Sequence, residues 1–243
     1  QENINIIGVD NLNYYYDVRL KESRLDDLKN KGVNFNFYKV DIEDKKNIDK
    51  IFQTHKPDIV FNLAAQAGVR YSIENPRTFI ATNVKGFLNI LEACKDNKIG
   101  HLIYASSSSV YGGSLQIPYS ENNIVDHPVS IYAASKKANE LMAHTYSHLY
   151  SIPCTGLRFF TVYGPWGRPD MSYFLFTKAI LSGERINIFN HGEMARDFTY
   201  IDDICESLVR IMKKPPTGEQ DFDKSNPLIN SSWAPHKIFN IGN

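Results

Sequence analysis

Residues 101–113 read HLIYASSSSVYGG: an apolar run from His101 to Ala105 that stops abruptly at four serines, Ser106–Ser109. A short run of this kind, bounded by polar turn residues, predicts a strand buried on both faces. Further on, Ile131–Leu149 sets Ile131, Ala134, Ala138, Leu141, Thr145 and Leu149 at intervals of three and four, which predicts a helix. The same pairing repeats outward from this segment. Ile4–Val9 ends at Asp10, Phe35–Val40 ends at Asp41, Asp58–Leu63 runs into Ala64-Ala65, and Thr155–Phe160 is a further apolar run. Between them, Asp44–Thr54 (Ile48, Ile51, Phe52) and Asn83–Lys95 (Val84, Phe87, Leu88, Leu91) carry helical periodicity. Strands separated by helices need long, right-handed crossovers, which leave the strands parallel and both faces of the sheet covered. The expected fold is α/β, a doubly wound parallel sheet.

From Tyr163 the texture changes. Gly164, Pro165, Gly167 and Pro169 predict a turn-rich loop. A helix is expected over Tyr173–Leu181, stopped by Gly183, then a short strand over Ile186–Phe189 and a helix over Asp203–Lys213. Pro215–Pro235 reads as a polar loop, and Lys237–Asn243 as the start of another element. The chain thus divides into a sheet domain, residues 1–162, and a smaller region, 163–243, interleaved with it.

Lysine plus arginine and aspartate plus glutamate number 27 each in 243 residues, so no net charge draws the chain to nucleic acid or an anionic membrane surface. No apolar run approaches the roughly 18 residues that span a bilayer, and no signal-peptide pattern opens the sequence. Cys94, Cys154 and Cys205 are far apart and form no CxxC pair. That spacing argues against a disulfide framework or a zinc site and fits a reducing cytoplasm.

Ligands of open α/β sheets bind beyond the carboxyl ends of the strands. Asp10, Asp41, Ala64–Gln66, Ser106–Ser109 and Phe159–Thr161 all fall there. The sharpest chemical signal is Tyr132-Ala133-Ala134-Ser135-Lys136. Residues four apart share a helix face. A phenol of pKa about 10 is a poor base at neutral pH unless a nearby cation lowers it, so Lys136 is expected to tune Tyr132 for removing a hydroxyl proton. YxxxK alone is a common pattern; its place at the start of a helix, after a strand ending in serines, gives it weight. The serine hydroxyls are suited to hydrogen-bonding a substrate oxygen. A carboxylate at Asp10 suits a ribose diol and repels a 2′-phosphate, and Asp41 is a candidate for the adenosine side. Arg158, Arg168 and Arg196 are candidates for a diphosphate or carboxylate. His144 and His148 lack a third ligand, and no metal site is expected.

Together these residues resemble the extended short-chain dehydrogenase/reductase family. The matching pieces are Asp10-Asn11-Leu12, Val40-Asp41-Ile42, Asn62–Ala65, Asn83, Ser106–Gly112, Tyr132–Lys136, Arg158–Phe160 and Arg196–Phe198. Within that family the runs Ala64–Arg70, Ser106–Gly112 and Phe159–Met171 are most similar to UDP-glucuronate 4-epimerases. The resemblance implies an NAD-dependent nucleotide-sugar epimerase. Ser107, Tyr132 and Lys136 would be catalytic. Asp10, Asn11, Asp41, Ile42, Leu63, Ala64, Ala65, Asn83 and Phe159 would hold NAD, with Tyr132 and Lys136. Gln66, Arg70, Ser108, Ser109, Thr161, Arg168 and Arg196 would hold the UDP-sugar. It also implies a cytoplasmic homodimer, formed through the helices at Asn83–Lys95 and Ile131–Tyr150, with a role in polysaccharide biosynthesis. The family opens on a strand and a GxxGxxG turn. No such turn precedes Ile4, so the first strand and glycine-rich turn are expected to be lacking, as is the end of the substrate lobe.

Three alternatives stay open. A UDP-glucose or UDP-N-acetylhexosamine 4-epimerase shares these motifs. A sugar-nucleotide 4,6-dehydratase would carry Asp-Glu where Ser108 and Ser109 stand. A catalytically silent binding module fits the absent glycine turn.

Overall fold

A computed structural model describes residues 4–188, 190–193 and 195–242. Strands β1 (Ile6–Asp10), β2 (Phe35–Lys39), β3 (Ile59–Asn62), β4 (His101–Ala105) and β5 (Cys154–Phe159) lie where the apolar runs predict them. Three more follow: β6 (Thr161–Tyr163), β7 (Phe198–Tyr200) and β8 (His236–Ile241). The helices are α1 (Val18–Asn30), α2 (Lys45–His55), α3 (Tyr71–Glu74), α4 (Pro76–Phe79), α5 (Phe87–Asp96), α6 (Ile131–Tyr150), α7 (Ser172–Leu181) and α8 (Ile201–Met212).

The main sheet runs β3-β4-β5-β8, all parallel. β1 and β2 form a separate parallel pair, as do β6 and β7. The expected parallel α/β architecture is therefore observed. β4 is sealed at its centre, with His101–Tyr104 all buried. Phe87, Ile90, Leu91 and Cys94 from α5 and Ala143 from α6 pack with Leu102, Tyr104 and Cys154 in the main core. Ile48 and Phe52 of α2 join the same cluster, and Val9 of β1 packs against it. Ile4, Ile6, Phe61 and Leu63, on or beside β1 and β3, stay exposed.

Local chemistry sets the helix starts. Asp44 accepts from the Asn47 amide at 3.1 Å at the head of α2, and Ser130 from the Ala133 amide at 3.1 Å at the head of α6. The second of these caps fixes where Tyr132 and Lys136 enter the crevice.

Three readings are corrected. Ile186–Ile188 forms no strand: Ile188 is exposed and no partner strand pairs with it, and Phe189 lies outside the described residues. The predicted helix from Asn83 is not α-helical throughout, because Ile80–Gly86 is a π-helical turn and α5 begins only at Phe87. The α1 helix has no counterpart in the sequence reading. Its stretch VRLKESRLDDLKN has little apolar periodicity, and its one buried residue is Lys21, whose Nζ donates to the Asn13 carbonyl and Oδ1, each at 2.8 Å. Asn243, the last residue of the expected C-terminal element, lies outside the described residues.

Candidate active site

The carboxyl ends of β1–β5 carry the polar residues. At β1, Asp10 Oδ1 accepts from the Leu12 amide at 2.7 Å. Asn11 Nδ2 donates to Asp41 Oδ2 at 2.7 Å, and the other Asp41 oxygen takes the Glu43 amide at 2.8 Å. The two predicted adenosine-side acids are thus tied into one rim. Ile42 is buried in the core, where a Cβ on Gly86 would meet its Cγ1 at 2.7 Å, so side chain and helix are in direct contact. Leu63 is exposed beyond β3, with Ala64 and Ala65 half-buried beside it.

The π-helical turn brings Asn83 inward. Its Oδ1 accepts from the Gln66 amide at 2.7 Å, and its Nδ2 donates to the Gln66 carbonyl at 3.0 Å and to Ser135 Oγ at 3.0 Å. Asn139 Nδ2 donates in turn to the Asn83 carbonyl at 2.6 Å. A buried polar network of this kind fixes the crevice floor relative to α6. π-helical turns often mark functional sites.

Ser107 caps the short 3-10 turn Ser108–Tyr111, receiving the Ser109 amide at 3.2 Å and its hydroxyl at 3.0 Å. Ser107 also hydrogen-bonds Tyr132. Lys136 Nζ donates to the Ala105 carbonyl at 2.8 Å, where β4 ends. Ser107, Tyr132 and Lys136 therefore meet at one place, as the sequence predicts.

Several groups set the electrostatics of the phenol. Burial raises the Tyr132 phenol above its ordinary value, while the Ser107 hydrogen bond and the Arg168 charge pull it down. Lys136 stands beside the same phenol ring. Its Nζ lies 6.0 Å from the Tyr132 ring centroid, and burial lowers its own pKa to about 8. Arg168 adds a positive charge that favours the phenolate.

Arg158 also departs from its predicted role. It is fully buried, with Nε and Nη2 gripping Glu140 at 2.9 and 3.0 Å and Nη1 reaching the Tyr111 hydroxyl at 3.1 Å. Burial pulls its pKa down, but the Glu140 carboxylate more than offsets this and holds it above the ordinary value. With its fork filled from inside, it cannot take a substrate anion. Glu140 also receives Ser106 Oγ at 2.6 Å, so the pair underpins the serine turn. The sequence reading missed Glu140, although its place one turn after Lys136 was a usable signal.

Arg168 is half-buried and forks onto Asp170, Nε to Oδ1 at 3.0 Å and Nη2 to Oδ2 at 3.2 Å. Thr161 and Phe159 are half-buried at the crevice edge, with the Thr161 amide held by the Asp197 carbonyl at 3.2 Å. Arg70 is exposed at the head of α3. Arg196 is exposed too and turns Nη1 to the Ala195 carbonyl at 2.7 Å. Among the described residues no cluster of three His, Cys, Asp or Glu could hold a metal, and no helix is long and apolar enough to cross a membrane. His144 Nε2 pairs with Ser232 Oγ at 2.8 Å, and His148 with the Trp233 indole at 3.1 Å.

Comparison with known proteins decides the family. The model of the NAD dependent epimerase/dehydratase family matches residues 1–242. The chain belongs to that family. Protein CapI of Staphylococcus aureus is 57% identical over 98% of this epimerase/dehydratase-family chain and 71% of its own length. A probable UDP-glucuronate 4-epimerase of Rhizobium meliloti is 45% identical, covering 98% of this chain and 70% of that protein. The crystal structure of the UDP-glucuronic acid 4-epimerase from Bacillus cereus, with UDP-glucuronic acid and NAD, superposes with a TM-score of 0.82 at 32% identity, covering 98% of this chain and 69% of that one.

NAD is the cofactor of this family enzyme, and its residues fit that group. The Asp10 carboxylate at the end of β1 suits a ribose diol, and Asp41, bonded by Asn11, lies just past the end of the neighbouring strand β2. The small side chains Ala64 and Ala65 with exposed Leu63 leave a crevice wall at the end of β3, and the Lys136 ammonium stands at the end of β4.

Proposed function

We propose that the protein interconverts UDP-glucuronate and UDP-galacturonate by epimerisation at C4. The observation that carries this reading is the meeting of Ser107, Tyr132 and the Arg168 charge beside Ser108 and Ser109. Tyr132 takes the proton of the C4 hydroxyl, with Ser107 bonded to the same phenol. NAD, when bound, supplies the hydride acceptor and, on the return, the donor. The resulting 4-keto uronate is a β-keto acid and is prone to lose carbon dioxide. The hydroxyls of Ser108, Ser109 and Thr161 hold its carboxylate in an orientation that resists this loss. Asp10, Asn11 and Asp41 hold the adenosine side, with Ile42 beneath. Leu63, Ala64, Ala65, Asn83 and Phe159 line the rest of the cofactor, and Lys136 reaches its ribose. Gln66, Arg70, Arg168 and Arg196 serve the UDP-sugar.

Two features support a 4-epimerase of uronic acids over its rivals. Serines occupy the positions where a 4,6-dehydratase carries Asp-Glu. The Rhizobium meliloti relative and the Bacillus cereus neighbour carry this activity in their names. A homodimer through α5 and α6 belongs to the same reading, supported by Leu88, Leu141 and Leu149, which are exposed on those helices. A cytoplasmic location is supported by the three free cysteines.

The test is incubation of the NAD-loaded protein with UDP-glucuronate, with nucleotide sugars separated by chromatography. UDP-galacturonate approaching equilibrium is the expected result. Turnover of UDP-glucose with none of UDP-glucuronate overturns the substrate assignment, and a 4-keto-6-deoxy product overturns the reaction type.

A further inference from the structure

The loop that leaves β1 reaches across to the loop that carries Arg168. Tyr15 Oη donates to Asp170 Oδ2 at 3.0 Å, the same oxygen that receives Arg168 Nη2. Tyr15 is held for this contact. Its ring lies 5.0 Å from that of Tyr71, and a Cβ on Gly68, whose φ is +105°, would meet the Tyr15 hydroxyl at 2.5 Å. Burial, reinforced by Asp170, raises its pKa to about 12, so the phenol keeps its proton and remains a donor. A second strand of contacts runs parallel: Arg24 bonds the Tyr16 hydroxyl and the Trp166 carbonyl, each at 2.6 Å.

We propose that Tyr15 is a positioning residue for substrate binding, which acts through Asp170 to aim the Arg168 guanidinium at the anionic part of the substrate. A guanidinium fork gives directional recognition only while its orientation is fixed. Asp170 fixes two of its nitrogens, and Tyr15 fixes Asp170. Neither Tyr15 nor Asp170 touches the reacting atoms. The loop between β1 and α1 thereby governs an arginine on the loop between β6 and α7. The assignment of Arg168 to the substrate rests on the function proposed above; its dependence on Tyr15 does not.

Two measurements test this on the full-length, NAD-loaded protein, using Tyr15→Phe, Asp170→Asn and the double variant. The first is the rate at which phenylglyoxal modifies Arg168, followed by peptide mass. Both single variants should speed modification several-fold, and the double variant should be no faster than the faster single, because the two residues form one chain of contacts. The second is steady-state turnover of UDP-glucuronate. Tyr15→Phe should raise KM about fivefold, the worth of one hydrogen bond, with kcat within about twofold and unfolding temperature unchanged. Equal modification rates in wild type and variants overturn the positioning role, whatever the substrate. Multiplying rates in the double variant, or a fall in kcat at unchanged KM, overturn it as well. Absence of UDP-galacturonate from the wild type overturns the proposed function and leaves the modification rates to decide this inference alone.

Discussion

Glu140 and Arg158 form a two-pronged ion pair at the base of the crevice, with neither side chain more than 2% exposed. One helix and one strand meet there, and Ser106 is bonded to the same carboxylate. The mutual attraction of a complete buried pair offsets its desolvation, but losing one partner strands a charge away from water. Glu140→Gln is expected to destabilise the fold by about 3–5 kcal/mol, measured by urea unfolding. A loss below about 1 kcal/mol would mean that the guanidinium finds another partner or reaches water.

Tyr132→Phe removes the proton acceptor and keeps the ring, which stands edge-on to Phe79 at 6.1 Å. A fall in kcat of about 10²–10⁴-fold is expected, the usual worth of a positioned acid–base group, with the protein still folded and NAD retained. Ser107→Ala should cost less, because it removes a hydrogen bond to the phenol and leaves the phenol in place.

Arg168→Gln takes away a charge that favours the Tyr132 phenolate. With that attraction lost the phenol ionises at higher pH, so the rising limb of the kcat/KM profile should move to higher pH. Rates measured across pH 6–10, roughly the range over which a tuned phenol titrates, decide this. An unmoved limb accompanied only by a raised KM would restrict Arg168 to binding.

Lys136 gives the fold a pH dependence of unusual sign. Burial lowers its pKa from 10.5 to about 8, so the unfolded chain holds the proton more tightly. Stability should rise as pH climbs through that window, because folding no longer displaces a proton once the solvent has removed it. Below the lower value the full cost is present, at most about 3 kcal/mol. Denaturant unfolding of wild type against Lys136→Met at several pH values should show this slope in the wild type alone.

Thr161→Val keeps the shape of a half-buried side chain at the start of β6 and removes its hydroxyl. The hydrogen bond from its backbone amide to the Asp197 carbonyl survives, so the strand should stay in place. If the hydroxyl restrains the substrate carboxylate, a decarboxylated pentose nucleotide will accompany a slower epimerisation. Unchanged activity with no such product would remove Thr161 from that role.

Much of the architecture was legible because it rests on local periodicity. The apolar runs before Asp10, Asp41 and Ala64, and the run into Ser106, mark strand ends without any tertiary information. The three- and four-residue spacing over Ile131–Leu149 places Tyr132 and Lys136 on one face. The α1 helix was not legible, since its stability comes from the Asp17 cap and the Lys21 contacts to Asn13, not from an apolar stripe. The failed strand at Ile186–Ile188 shows the converse: β-formers make a strand only where a partner edge is at hand.

Sequence by itself determined the parallel α/β plan and the shared face of Tyr132 and Lys136, because each depends on spacing along local segments. Only the tertiary structure decided the electrostatics of that pair. Arg158 is consumed by Glu140, Arg168 adds its charge to the field on Tyr132, and Tyr15 reaches Asp170. These are pairings between distant segments. Charge interactions depend on the distance and burial of groups whose separation along the chain says nothing about their separation in space.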